Sequence, residues 1–87
     1  GWAVADAPAA TAADHRRERA REALAGLSQR EHDVALAVGG GLTNAEVAQQ
    51  LHLSPATVKA HLSRVMEKTG ATNRVQVALT VHDATGG

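Results

Sequence analysis

Two observations predict an all-α fold for this sequence of 87 residues. From Leu27 onward, Ser, Thr or Asn is repeatedly followed three residues later by Glu or Gln, which is typical of a helix N-terminus. Glycines follow the segments that these caps open, as expected for helix ends. The sequence therefore predicts a four-helix bundle, and it allows an extra linker helix in front of the bundle.

Composition limits how such a bundle is stabilised. The chain contains no cysteine, and Trp2 is its only aromatic residue, so Leu, Val and Ala must fill the core. The five histidines lack metal-ligand spacing, so we expect no metal site and no cofactor. No apolar run approaches the roughly 20 residues of a membrane span. We therefore expect a soluble, cytoplasmic chain that has no membrane partner.

Residues 1–26 are predicted to be a linker or tail. Within them, residues 1–13 show no apolar periodicity, which indicates a disordered segment. Residues 14–25 alternate in charge sign, which predicts a solvated helix whose weak apolar face includes Ala20 and Leu24. The sequence favours an exposed linker helix here over a helix that binds a partner.

Residues 27–84 are predicted to form the bundle, beginning with two helices that each start at a capping box. Ser28 and Glu31 fit the first box, and this helix is expected to run to about residue 38. Thr43 and Glu46 fit the second, whose helix is expected to end near residue 52.

The third and fourth helices have their own start signals. Ser54 followed by Pro55 begins the third, since Ser is a good N-cap and Pro suits the first helical position. Gly70 is placed to end it after residue 69. Asn73, with Gln76 three residues later, predicts a fourth helix that reaches about residue 83.

The short turn around Leu53 indicates what the bundle is for. A turn of a few residues forces the flanking helices to cross steeply, which is the helix-turn-helix arrangement. In that arrangement the second helix, here residues 55–69, can enter the major groove of DNA. The spacing of its apolar residues predicts a core-facing side made of Val58, Leu62, Val65 and Met66.

The opposite side of this helix suits DNA. It carries small and polar residues, which let a backbone approach base edges, and the segment is locally basic although the formal net charge of the chain is zero. Lys59 can reach guanine O6 and N7. Cationic and hydroxyl side chains on the flanks, including Arg64, His61 and Thr57, can meet phosphate oxygens.

These residues resemble the DNA-binding domain of LuxR/GerE-type regulators, including the output domains of NarL/FixJ-type response regulators. The resemblance covers about residues 27–81 and rests on four motifs: Arg30-Glu31, Gly41 to Asn44, Thr57 to His61, and Lys68 to Arg74. It implies a four-helix bundle whose third helix reads the major groove and whose fourth helix pairs two copies on DNA.

The resemblance also implies roles for individual residues. Base contacts are expected from Lys59, Ala60 and Ser63. Phosphate contacts are expected from Thr43, Asn44, Thr57, His61, Arg64 and Arg74. Glu31 is expected to be structural. An apolar stripe of Val75 and Leu79 on the fourth helix is expected to cover either the linker helix or a second copy, and the resemblance favours a homodimer.

The sequence departs from the family pattern in and after the first helix of the bundle. Ala35 and Ala37 stand where the family usually has large aliphatic residues, which predicts a rotated or thinly packed helix of low stability. Gly41 is placed to turn the chain after this helix. The preceding pair, Gly39 and Gly40, is expected to cost stability, and the sequence assigns it no function.

The expected function is therefore sequence-specific binding of double-stranded DNA, as the output domain of a bacterial transcriptional regulator, with RNA polymerase as a further candidate partner. The alternatives are a sigma-factor-like promoter-recognition domain and a helical protein-interaction module. An enzyme is not expected, because the glycines lack the G-K-[ST] of a nucleotide-binding loop and no residues are placed for catalysis.

Overall fold

The computed structural model describes residues 11–86, which form five helices and no strand. The helices are α1 (Ala12–Ala25), α2 (Gln29–Gly39), α3 (Asn44–Leu51), α4 (Pro55–Thr69) and α5 (Arg74–Thr85). The all-α prediction is confirmed, and the last four helices end within two residues of their predicted limits. Most of the predicted tail, residues 1–10, lies outside the described residues.

Each helix begins at a side chain that accepts a hydrogen bond from a backbone N–H group of the first turn. α1, α2 and α3 begin with complete capping boxes, in which the third helical residue also accepts from the cap backbone. Ser54 caps α4 and Asn73 caps α5, as predicted. Local sequence therefore fixes where these helices start.

The N-terminal helix is longer and more buried than predicted. Thr11 caps it, so α1 includes two residues that were assigned to the tail. Ala20 and Leu24 are buried against the bundle, where α1 packs mainly on α5. The Arg21 Nε–H group also donates to the Ala84 carbonyl at 3.2 Å. The prediction of an exposed linker helix was therefore wrong, because a narrow apolar face is enough to dock this helix.

The core lies where α2 crosses α4 and α5, with α3 packed on α4. It is made of small aliphatic side chains, and its largest fully buried members are Val34, Val47, Val58, Val65 and Val77.

The alanines of α2 lie in this core. Ala35 and Ala37 are 0% and 7% exposed, so the predicted rotation of the helix does not occur. Because alanine side chains are short, they allow α2 to approach its neighbours closely.

Gly39 makes the closest approach in this core possible. A Cβ atom at this position would lie 2.8 Å from Val81 Cγ1 and 2.9 Å from Val81 Cβ, well inside normal contact distance. Any larger residue would have to displace Val81 where the end of α2 crosses α5. Gly39 thus has a packing role, where the sequence could assign it no function. Two residues later, Gly41 has a φ of 87° and turns the chain toward α3, as predicted.

We expect Gly39→Ala to destabilise the protein. The new methyl group must move Val81 or the helix backbone, and such overpacking costs about 1–3 kcal/mol. This cost outweighs the gain of about 1 kcal/mol in helix propensity. Urea unfolding would measure the difference in the free energy of unfolding.

Gly40→Ala is the matched control for this experiment. The nearest atom to its new Cβ is the Ala37 carbonyl oxygen at 3.4 Å, an ordinary contact, and its φ of −80° suits any residue. We expect no loss of stability there, or a gain of about 0.4–1 kcal/mol. Equal effects of the two substitutions would contradict the packing role of Gly39.

Candidate nucleic-acid interface

α3 and α4 form the helix-turn-helix unit that the sequence predicts. Residues 52–54 connect them, and His52 adopts a left-handed conformation with φ 57° and ψ 44°. Leu53 then donates its N–H group to the Ala48 carbonyl at 2.9 Å and packs its side chain against the core. The turn is therefore held both by a backbone hydrogen bond and by burial of Leu53.

α4 has a buried side and an exposed side. Val58, Leu62 and Val65 are buried in the core, as their spacing predicts, while Met66 is half-buried against it. Opposite this buried side, small side chains lie between charged ones. We call this exposed surface the outer face of α4, and it consists of Ala56, Lys59, Ala60, Ser63 and Glu67.

The N-terminal turn of α4 contains no acidic residue. Ser54 Oγ accepts a hydrogen bond from the Thr57 N–H group at 3.1 Å, and the two hydroxyl oxygens lie 2.9 Å apart. Thr57 and His61 are both half-buried. Negative charge is thus absent from the end of α4 where free N–H groups and the helix dipole favour an anion.

The N-terminus of α3 is closed by a capping box. Thr43 Oγ1 accepts from the Glu46 N–H group at 3.2 Å, and the Thr43 N–H group donates to the Glu46 carboxylate at 2.9 Å. The hydrogen bond from the Thr43 backbone lowers the pKa of Glu46. Thr43 itself is exposed, and its hydroxyl proton remains available for an outside acceptor.

Arg74 joins the start of α5 to the start of α3. Its Nη1 donates to Asn44 Oδ1 and its Nη2 donates to the Leu42 carbonyl, both at 2.8 Å. The structure thus brings together Asn44 and Arg74, two residues that the sequence analysis assigned to phosphate contacts. It also shows that two of the guanidinium donors already bind within the protein.

Glu31 is the one buried charged residue among residues 11–86, with 5% of its surface exposed. Its Oε1 accepts from Lys68 Nζ at 2.7 Å and from the Ser28 N–H group at 2.9 Å. Arg64 Nε lies 4.0 Å from its other carboxylate oxygen. Glu31 therefore ties the start of α2 to the second half of α4, in keeping with the structural role expected for it.

These contacts change the acidity of Glu31. The hydrogen bond from Lys68, followed by the one from the Ser28 backbone, lowers its pKa from 4.5 to about 2. The carboxylate is therefore ionised at all but strongly acidic pH. Lys68 is occupied by this pair, whereas Arg64 keeps most of its side chain in solvent.

Acid should lower the free energy of unfolding, partly by protonating Glu31. A lowered folded-state pKa contributes stability above the unfolded pKa of 4.5, and this contribution is lost as pH falls toward about 2. We expect thermal unfolding midpoints of the wild type to fall toward those of Glu31→Gln over this interval. Glu46→Gln is the comparison, since Glu46 has the same capping position but its pKa is lowered by the Thr43 cap alone, and its difference from wild type should change less with pH. A difference between wild type and Glu31→Gln that does not change with pH would contradict this linkage.

Sequence reasoning missed two features around this surface. The link from Arg74 to Leu42 and Asn44 joins residues about 30 positions apart, and no local pattern indicates it. The left-handed turn residue, His52, was also missed, although His is among the residues that enter this conformation more often than most.

The described part of the chain offers no sign of a metal site or a membrane span. Residues 11–86 contain no group of three or more His, Asp or Glu side chains arranged to hold a metal ion. None of the helices in this range is long and apolar enough to cross a membrane.

The fold is that of a helix-turn-helix DNA-binding domain. The family model described as "Bacterial regulatory proteins, luxR family" matches residues 25–81. The chain therefore belongs to the luxR family.

Named regulators are similar to part of this chain. It is 40% identical over 61 residues to a putative HTH-type transcriptional regulator, Rv0890c, of Mycobacterium tuberculosis, covering 70% of this chain and 7% of that protein. It is 40% identical over 57 residues to the transcriptional regulatory protein UhpA of Escherichia coli, covering 66% of this chain and 29% of that protein.

A third relative is the nitrate/nitrite response regulator protein NarL of Escherichia coli. The two are 34% identical over 56 residues, which is 64% of this chain and 26% of NarL. The chain thus spans less than a third of the length of each of these three relatives.

Proposed function

We propose that this domain binds double-stranded DNA sequence-specifically, as the output domain of a bacterial transcriptional regulator, with α4 in the major groove. The observation that carries the proposal is the outer face of α4, where small side chains surround Lys59. A surface of this kind allows the helix backbone to approach base edges while the lysine reaches guanine acceptors. The class of signal that such a regulator senses would be set by other domains.

In this proposal base contacts come from Lys59, Ala60 and Ser63. Lys59 donates to guanine, Ser63 donates to or accepts from a base, and the Ala60 methyl group packs against a thymine methyl. Phosphate contacts come from donors around this face, namely Thr43, Asn44, Thr57, His61 and Arg64. The N–H groups at the start of α3 add to them, since a helix N-terminus favours an anion.

The family match argues against the two alternatives. It continues to residue 81, through most of α5, whereas the resemblance to a sigma-factor domain fades after the recognition helix. A helical protein-interaction module does not account for the small, polar outer face of α4. Cytoplasmic location and contact with RNA polymerase stay predictions.

Selection of bound duplexes from a random pool is the direct test. We expect enrichment of one sequence, and a two-fold symmetric site if two copies bind together. A pool that shows no enrichment would refute sequence-specific binding.

Lys59 and Arg64 should have different effects on binding. Lys59→Ala should weaken binding to the selected site by about 1–3 kcal/mol and relax base preference. Arg64→Ala should weaken all duplexes alike and reduce the slope of log Kd against log salt concentration by roughly one. Fluorescence anisotropy at several salt concentrations measures both.

Arg19→Ala is the charge-matched control for these two variants. Arg19 lies exposed on α1, outside the proposed interface, and its loss should leave the salt slope unchanged. If Lys59→Ala leaves the binding of every sequence unchanged, α4 does not read the groove as proposed.

We also propose that α5 pairs two copies of the domain on DNA. Val75 and Leu79 are 63% and 57% exposed, whereas α1 packs beside the Ala84 end of the same helix. One helix offers a small contact area, so association without DNA should be weak. The two half-sites then bring the copies together.

Leu79→Lys should reduce the stoichiometry on a two-fold symmetric duplex from two copies to one, because the new charge would be buried between the copies. Sedimentation of the complex measures this. Leu36→Lys is the control, since Leu36 is an exposed leucine on α2, with 43% of its surface accessible. Wild-type protein that binds such a duplex only as a monomer would exclude the dimer.

A further inference from the structure

Arg74 has an unusual place among the residues for which the family resemblance implies phosphate contacts. It is the first residue of α5, but its guanidinium donates to two acceptors at the start of α3, which are Asn44 Oδ1 and the Leu42 carbonyl. Both distances are 2.8 Å. The planar guanidinium fork suits two acceptors at once. Two strong donors of this side chain are therefore directed into the protein.

This contact fixes which way the Asn44 amide points. Arginine carries only donors, so the Asn44 oxygen must face it and the Asn44 NH₂ group must point away. An Asn44 side chain without this partner could rotate its amide in either direction. Arg74 thereby selects the orientation in which Asn44 presents two N–H donors to an outside acceptor.

We propose that Arg74 is a positioning residue that acts on DNA through Asn44, and is not itself the phosphate ligand. This inference rests on the proposed function, because the acceptor is a DNA phosphate. By holding the amide oxygen, Arg74 directs the Asn44 NH₂ group to a phosphate oxygen beside the N-terminus of α3. Its second hydrogen bond, to Leu42, fixes the backbone that leads into this helix.

A direct phosphate contact and a positioning role predict different behaviour of a lysine at this site. Lysine keeps the charge, so it would retain much of a direct contact with phosphate. It is a single ammonium group without the rigid fork, so it cannot hold Asn44 and Leu42 in the same way. Arg74→Lys should therefore be nearly as harmful as Arg74→Gln.

The experiment compares the affinities of the wild-type protein and its variants for the duplex selected from the random pool. We expect Arg74→Lys, Arg74→Gln and Asn44→Ala each to weaken binding by about 10- to 100-fold, the cost of losing one hydrogen bond to a charged group. The double variant Asn44→Ala with Arg74→Lys should bind no more weakly than either single variant, since both remove the same contact.

The salt dependence provides a second measurement. Arg74→Lys should leave the slope of log Kd against log salt concentration unchanged, because the phosphate contact that it disturbs comes from a neutral amide. Thermal unfolding of each variant shows whether it is folded. If the Arg74 variants do not fold, the affinity of Asn44→Ala for the duplex is the remaining test. An unchanged affinity of that variant contradicts the proposal.

Several results would overturn the positioning role while leaving DNA binding intact. They are near-normal affinity of Arg74→Lys, additive losses in the double variant, or a salt slope that falls by about one in Arg74→Gln and not in Arg74→Lys. The last result would identify Arg74 as a direct phosphate ligand. Wild-type protein that binds no duplex would instead remove the proposed function, and the positioning role with it.

Discussion

The carboxylate of Glu31 connects the scaffold to the helix that carries the proposed reading surface. It completes the capping box of α2 through the Ser28 N–H group, and it holds Lys68 near the end of α4. A buried charge of this kind is costly unless it is paired and hydrogen-bonded, so the three groups must stay together. The orientation of α4 on the bundle is consequently set by a charged contact at one end and by valine packing along its length.

Small side chains determine how close the helices lie. Valine and alanine fill most of the core, and Gly39 leaves space for Val81 at the crossing of α2 and α5. Such a core has little freedom to absorb added volume, since dense packing transmits any displacement to the neighbouring helices. A change at Gly39 would therefore move α5, the helix that carries both Arg74 and the proposed pairing surface.

The sequence predicted features that neighbouring residues decide. It missed features that depend on contacts between residues far apart in the chain. The limits of α4 follow from Ser54, Pro55 and Gly70, which act within a few residues of themselves. The role of Gly39 could not be predicted in this way, because it depends on a side chain more than forty positions away. The apolar face of α1 was predicted with Ala20 and Leu24, but its docking was missed because the many charges of this helix favour solvent. The role of Lys59 was inferred from the face of the helix, and those of Ala60 and Ser63 come from the family resemblance. The structure adds that all three are exposed.

The division of α4 into two sides has a consequence for how such domains diversify. Its register is set by the Ser54 cap and by Val58, Leu62 and Val65, none of which belongs to the outer face. Substitutions on an exposed helix surface usually change stability by less than about 0.5 kcal/mol. New base preferences could accordingly arise by mutation of the outer face without compensating changes in the core. The proposed recognition surface and the folding determinants of this helix are thus free to evolve separately.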